Sequence, residues 1–331
     1  MKREMTPSIS PLTFHHSRFT LLHFIPYSMP VYKIQHITHY GYDAPVIDST
    51  NQIKIYPFQT PGQQVLQHDV NITGEPNVSV FTDYWGNKTG TFCLTEPHHE
   101  MSIESRLVID VQEDYEPDIT LLNEIITLDY SKPDRSESGN QIKEILSLCP
   151  ATDDAYTIAG WANRYVYENF TYEKGITTIE TTVEEILKHG KGVCQDFAHV
   201  LLQMLRTAGI PARYVSGYIC PNKDGLRGEG ATHAWVEVWL KGQGWKGMDP
   251  TNNIWVSNNH IQLAVGRDFK DCTPAKGTFK GMANQKLNVY VSVGYEDGHV
   301  FEEHTQVKMN EERIIVPAII PKHFYSQQQQ Q

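Results

Sequence analysis

Gly190-Lys191-Gly192-Val193-Cys194-Gln195-Asp196-Phe197-Ala198-His199 marks the passage from a glycine-punctuated turn into a helix. Cys194, Ala198, Leu201, Leu205 and Ala208 recur at helical spacing, and Gly209-Ile210-Pro211 stops the pattern. A cysteine at a helix start sits among free backbone N–H groups at the positive end of the helix dipole, which favours a thiolate. Glycines on the approach let the chain turn tightly and leave the sulfur reachable. Position alone leaves two readings open, a reactive thiol or an inert buried cysteine.

Downstream, His233-Ala234-Trp235-Val236-Glu237-Val238-Trp239-Leu240 alternates with period two. Ala234, Val236, Val238 and Leu240 form the obvious core face. His233, Trp235, Glu237 and Trp239 form a polar and aromatic row on the other. If Lys241-Gly242-Gln243 is a three-residue hairpin loop, Leu240 pairs with Gly244 and Trp235 with Asp249. Asp249 then lies diagonal to His233 on the same face, within reach of its imidazole. A loop one residue shorter or longer sends Asp249 to the opposite face.

Outward from this centre the chain changes character twice. From Val31 to about Val111 it reads as strands, among them 52–56, 65–72, 78–81 and 101–111, separated by turns such as Pro61-Gly62 and Gly86-Asn87. Helical spacing follows over 119–128, 141–148 and 153–169, and Thr182 with Glu185 forms a capping-box signature for a short helix ending at Gly190. Strands are expected over 212–219, 233–240, 245–249, 287–293 and 312–320. Helices followed by antiparallel strands predict an α+β fold. Residues 1–28 read as a poorly ordered extension, with Met29 opening the first domain. Residues 29–115 are expected to form a β-rich domain, 116–322 a catalytic domain, and 323–331 a disordered glutamine-rich tail.

Composition excludes several classes. The 331 residues carry a formal net charge of -11 and no basic block, which argues against nucleic-acid or anionic-membrane binding. No stretch approaches a membrane span. Five scattered cysteines without a CxxC pair suggest neither a disulfide framework nor a zinc site, and fit the cytoplasm. His98-His99 has no partner at metal spacing, and no calcium loop is evident, so no metal and no cofactor are expected.

Taken in order, Gly192 to Ala198, Arg206 to Tyr218, His233 to Glu237, Gly244-Trp245 and Asp249-Pro250-Thr251-Asn252 resemble the bacterial transglutaminase-like family. The strand-rich region 31–111 resembles that family's N-terminal domain, and Gly266-Arg267-Asp268-Phe269 is also family-typical. The resemblance implies a papain-like core with Cys194 as nucleophile, His233 as acid-base and Asp249 as its orienting carboxylate. It implies a thioester acyl-enzyme formed on a protein or peptide substrate, with the Cys194 N–H as an oxyanion donor. Tyr172 is a candidate second donor, or a structural tyrosine. Amide hydrolysis is the expected outcome; acyl transfer to an amine, as in a protein-glutamine transglutaminase, is the alternative. A non-catalytic peptide-binding scaffold stands further off, because the three residues are intact. Asp196 and Glu237 are read as helix-start or supporting charges, Trp235, Trp239 and Trp245 as packing, and Arg206 and Arg213 as partners for a helix end and nearby carboxylates. The substrate's identity and the oligomeric state are not legible.

Overall fold

The computed structural model describes residues 31–112, 124–134, 138–220, 225–228, 231–295, 300–307 and 325–329. The chain begins with β1 (Val31–Ile53), β2 (Gln63–Ile72), β3 (Ser79–Thr82), β4 (Lys88–Leu94) and β5 (His98–Val111). Then come α1 (Glu124–Ser131), α2 (Gly139–Leu146), α3 (Ala155–Asn169), β6 (Thr171–Tyr172), α4 (Val183–His189), β7 (Lys191–Gly192) and α5 (Cys194–Thr207). The remainder is β8 (Ala212–Ile219), β9 (Ala231–Leu240), β10 (Gly244–Asp249), β11 (Ile254–Trp255), β12 (His260–Gly266), α6 (Phe269–Cys272), β13 (Ala275–Lys280), β14 (Gln285–Tyr295), β15 (Val300–Val307) and β16 (Tyr325–Gln329). Helices plus antiparallel sheet make the fold α+β, with a β-rich N-terminal region and a papain-like core.

β1 is the spine of a nine-stranded sheet. Its first half pairs with β5 on one side and β14 on the other, and its second half with β4 and β13. Tyr32, Ile34, His36, Thr38, Tyr40 and Tyr42 alternate inward, as a half-buried strand requires. The sheet therefore draws on both ends of the chain, and the expected boundary at 115/116 does not follow it. β13 and β14 lie within 116–322 yet hydrogen-bond to β1. Two open edges of β1 are satisfied best by strands that return from far along the chain, a pairing that local sequence does not encode. The tail also differs from expectation: β16 pairs antiparallel with β13 from Lys276–Gln329 to Lys280–Tyr325. Ladder bonds use the backbone alone, so a run of glutamines can supply an edge strand. The expected extension 1–28 and strand 312–320 lie outside the described residues. The first predicted helix is observed as α1, Glu124–Ser131.

The second sheet has the order β11-β10-β9-β8-β12, antiparallel throughout. Helices cover one face, where Phe197, Leu201 and Leu205 of α5 pack with Val236, Val238 and Leu240. On the other face Tyr218, Ile261 and Leu263 join the core of the nine-stranded sheet. α5 is buried nearly all round, from Gln195 to Arg206 with only His199 half-buried, because α2, α3 and α4 pack on it opposite the sheet. α4 starts at the reciprocal Thr182–Glu185 capping box and ends at Gly190 in the left-handed conformation.

Candidate active site

The site is built where the first turn of α5 meets β9, β10 and β12. β7 leads into α5, and its parallel partner β6 sets Tyr172 opposite Gly192. Asp196, in the first turn, accepts a hydrogen bond from the Val193 N–H (2.7 Å) and another from the Thr177 hydroxyl (2.7 Å). This carboxylate ties three segments to the start of the helix, the supporting role read from sequence. Gly192 is needed for the same reason: a Cβ there would stand 2.6 Å from Asp196 Oδ2 and 2.7 Å from its Cβ. Close approach, rather than an unusual backbone angle, demands the glycine. Cys194 is left half-buried at the helix start.

The hairpin has the register that the three-residue loop requires. Gly244 pairs with Leu240, Gly247 with Glu237 and Met248 with Val236. His233 and Asp249 consequently share a face, and the His233 Nε2 lies 2.8 Å from Asp249 Oδ2 with both side chains buried. Asp249 also accepts from the Thr251 N–H (2.9 Å) and the Asn252 amide (2.7 Å), and it lies 3.3 Å from His260 Nε2. A carboxylate with no exposure and four donors is locked as the anion. Burial opposes its charge, but His233 and His260 hold its pKa far below the usual carboxylate range.

Burial likewise disfavours a charged His233, and here too the neighbours win. Asp249 first, then Cys194, push its pKa up to about 10. Nε2 is occupied by Asp249, so Nδ1 is the ring nitrogen left for the thiol; no described group meets it with normal hydrogen-bond geometry. Cys194 nevertheless borders the same cavity as His233 and contributes to the rise in its pKa. Such contacts are often long before substrate binds. Gly228 covers Nδ1, with space for a Cβ only 3.4 Å away.

Sequence reasoning missed His260. It opens β12, two strands from β9 across β8, and reaches Asp249 from the far side. The two imidazole centroids lie 5.9 Å apart, and Trp235 packs against both, 6.3 Å from His233 at an angle of 29° and edge-on to His260 at 5.2 Å. Burial pushes the pKa of His260 down despite Asp249; its Nδ1 lies 2.9 Å from Asn259 Oδ1 while its Nε2 faces the carboxylate. The one signal available was a histidine heading the otherwise apolar strand His260–Gly266. Donor atoms of His233, Asp249 and His260 lie within 4.8 Å of one another, a spacing a metal ion could bridge. Within this group both imidazoles already turn Nε2 toward Asp249 Oδ2, at 2.8 Å from His233 and 3.3 Å from His260.

The remaining predicted residues fall into place around this centre. Tyr172 lines the same cavity as Cys194 and His233, edge-on to Phe197. Glu237 is turned away into an ion pair with Arg213 (2.6 Å), whose guanidinium lies over Trp245. Arg206 donates to the Ala212 and Arg267 carbonyls, closing the far end of α5. The polar and aromatic face of β9 is not open to solvent: Trp235 is 1% exposed, packed with Val215 and Val265.

A helix-borne cysteine set against an antiparallel sheet, behind a β-rich N-terminal region, is the architecture of transglutaminase-like proteins. Residues 143–250 match the transglutaminase-like superfamily, residues 32–110 match the bacterial transglutaminase-like N-terminal region, and the chain belongs to that family. An uncharacterized protein of Mycobacterium leprae is 30% identical over 274 residues, spanning 79% of this chain and 97% of its own length. A protein-glutamine gamma-glutamyltransferase of Pseudomonas aeruginosa is 36% identical over 104 residues, 29% of this chain and 16% of that one. Among solved structures, a candidate cysteine protease from Cytophaga hutchinsonii superposes with a TM-score of 0.65 at 21% identity, covering 91% of this chain and 98% of its own. Members of the superfamily are usually enzymes.

Proposed function

We propose that the protein is a cysteine-nucleophile amide hydrolase acting on protein or peptide substrates, in a reducing cytoplasm that keeps its five cysteines free. The observation that carries this reading is the buried His233–Asp249 pair, 2.8 Å apart, with Cys194 acting on the imidazole's remaining side. Cys194 Sγ, its proton held by His233, attacks the amide carbonyl and forms a C–S bond. The oxyanion is received by the Cys194 N–H at the helix start, with Tyr172 as second donor. The C–N bond then breaks as His233 passes its proton to the leaving amine. Water, deprotonated by His233, opens the thioester and returns the thiol. Asp249 keeps the imidazole oriented throughout and favours its protonated form, without taking its proton.

Hydrolysis is favoured over transfer by access. The cavity beside Cys194 opens past Lys174, Gly175 and Ile176, all exposed, so water can reach an acyl-enzyme. The second reading, glutamine-to-amine transfer, draws on the similarity to the Pseudomonas gamma-glutamyltransferase over part of the core. Incubation with glutamine-containing peptides, with and without a primary amine, separates the two. Backbone cleavage or ammonia release without amine uptake supports hydrolysis, and stoichiometric amine incorporation supports transfer. Wild-type protein that gives none of these, on a broad peptide mixture, would sink the catalytic reading.

A further inference from the structure

Beside Cys194 and His233 lies a cavity of about 250 Å3. Its inner wall comes from distant parts of the chain: Tyr214 of β8, Phe269 of α6, and Val289 and Val291 of β14. All four are buried, and Ser216 is a polar residue among them. Among the described residues, Lys174 is the one charged side chain other than His233 that borders the cavity, and it is exposed at the mouth. An apolar cavity of ~150 Å3 already accommodates a benzene ring, so this one is large enough for an aromatic side chain. A carboxylate or ammonium carried inward would lose its water and find no counter-ion on these walls.

We infer that this cavity selects the substrate: it seats a large, uncharged apolar side chain, aromatic or branched aliphatic, on the acyl side of the bond that is cleaved. The inference rests on Cys194 being the nucleophile. The acyl side is assigned because Cys194 itself lines the cavity, together with Val193 and Gln195 at the same helix start. The acyl carbon becomes bonded to the Cys194 sulfur, whereas the amine departs with a proton from His233. Val289 and Val291 lie on β14, which pairs with β1, so the nine-stranded sheet supplies part of the cavity wall.

The test uses the full chain and a set of fluorogenic amides with one leaving group and Ala, Leu, Phe, Asp or Lys at the acyl position. Burial of the larger side chains should raise kcat/KM for Leu and Phe about 10- to 100-fold over Ala. Asp and Lys should fall to the Ala level or below. In Val291→Phe, which fills the cavity, the Phe/Ala ratio should drop toward one, with the unfolding curve as the control for folding. Phenylalanyl, alanyl and aspartyl chloromethyl ketones, read as Cys194 adducts by mass spectrometry, give the same ranking without turnover. A flat ranking, or preference for a charged acyl side chain, overturns the inference while leaving catalysis intact. Failure of every reagent, iodoacetamide included, to modify Cys194 would remove the nucleophile and the inference with it.

Discussion

Replacing Asp249 by asparagine should switch off the charge on His233. The imidazole is fully buried, and burial by itself pushes its pKa below the ordinary 6.5; Asp249, with a smaller contribution from Cys194, lifts it to about 10. The net rise corresponds to about 5 kcal/mol in favour of imidazolium, and the attraction itself must exceed that by the cost of burial. The substituted amide would be neutral and would turn an NH2 toward one of the donors now served by the carboxylate. In ring-15N histidine NMR, with His233 assigned against His233→Gln, the wild-type signal should stay protonated past pH 8. The Asp249→Asn signal should titrate below 6.5, and Cys194→Ala should lower the midpoint by less. Stability follows with a definite sign. A raised folded-state pKa on His233 stabilises fully below pH 6.5, and this is lost as pH rises through about 10; the depressed Asp249 stabilises above its ordinary ~3.9. Both describe one attraction, counted once, so the Tm gap between wild type and variant should be widest between about pH 4 and 6.5 and close toward pH 10. A variant His233 that still titrates above 7 would refute the assignment of Asp249 as its electrostatic anchor.

In a Cys93→Ser background, which removes the exposed thiol, iodoacetamide at pH 6 should modify Cys194 in preference to Cys149, Cys220 and Cys272, whose thiols burial pushes up; persistent fast labelling in Cys194→Ala would place the reactive thiol elsewhere. His260→Phe keeps a ring against Trp235 but deletes the donor to Asp249. It should lower kcat several-fold with KM little changed and shift the pH profile of kcat, whereas a merely structural role would leave that profile where it was. Gly192→Ala drives a methyl into Asp196, and the strain should cost roughly 1–3 kcal/mol in denaturant unfolding; unchanged stability would show that the helix start can yield.

Local order made much of this protein legible from its residues. Period-two alternation in β1 and β9, the Thr182–Glu185 cap and the Gly209-Ile210-Pro211 stop report φ/ψ preferences and burial patterns that need no distant partner. Loop parity even placed Asp249 beside His233, because a hairpin converts spacing into register with no help from the rest of the fold. Cys194 was visible for a similar reason, since a helix start is a local electrostatic environment.

What required the tertiary structure was every contact closed by strands far apart in sequence. β13 and β14 return to flank β1, His260 reaches Asp249 across two intervening strands, and Val289 and Val291 complete a wall around a thiol about a hundred positions earlier. Sequence alone determined the α+β class and the grouping of Cys194, His233 and Asp249. Only the pairing of β12 with β8 decided that the carboxylate has a second histidine, and only the return of β14 that the thiol's cavity is walled by Val289 and Val291, because long-range strand pairing is selected by the burial of whole faces and leaves no spacing in the chain to read.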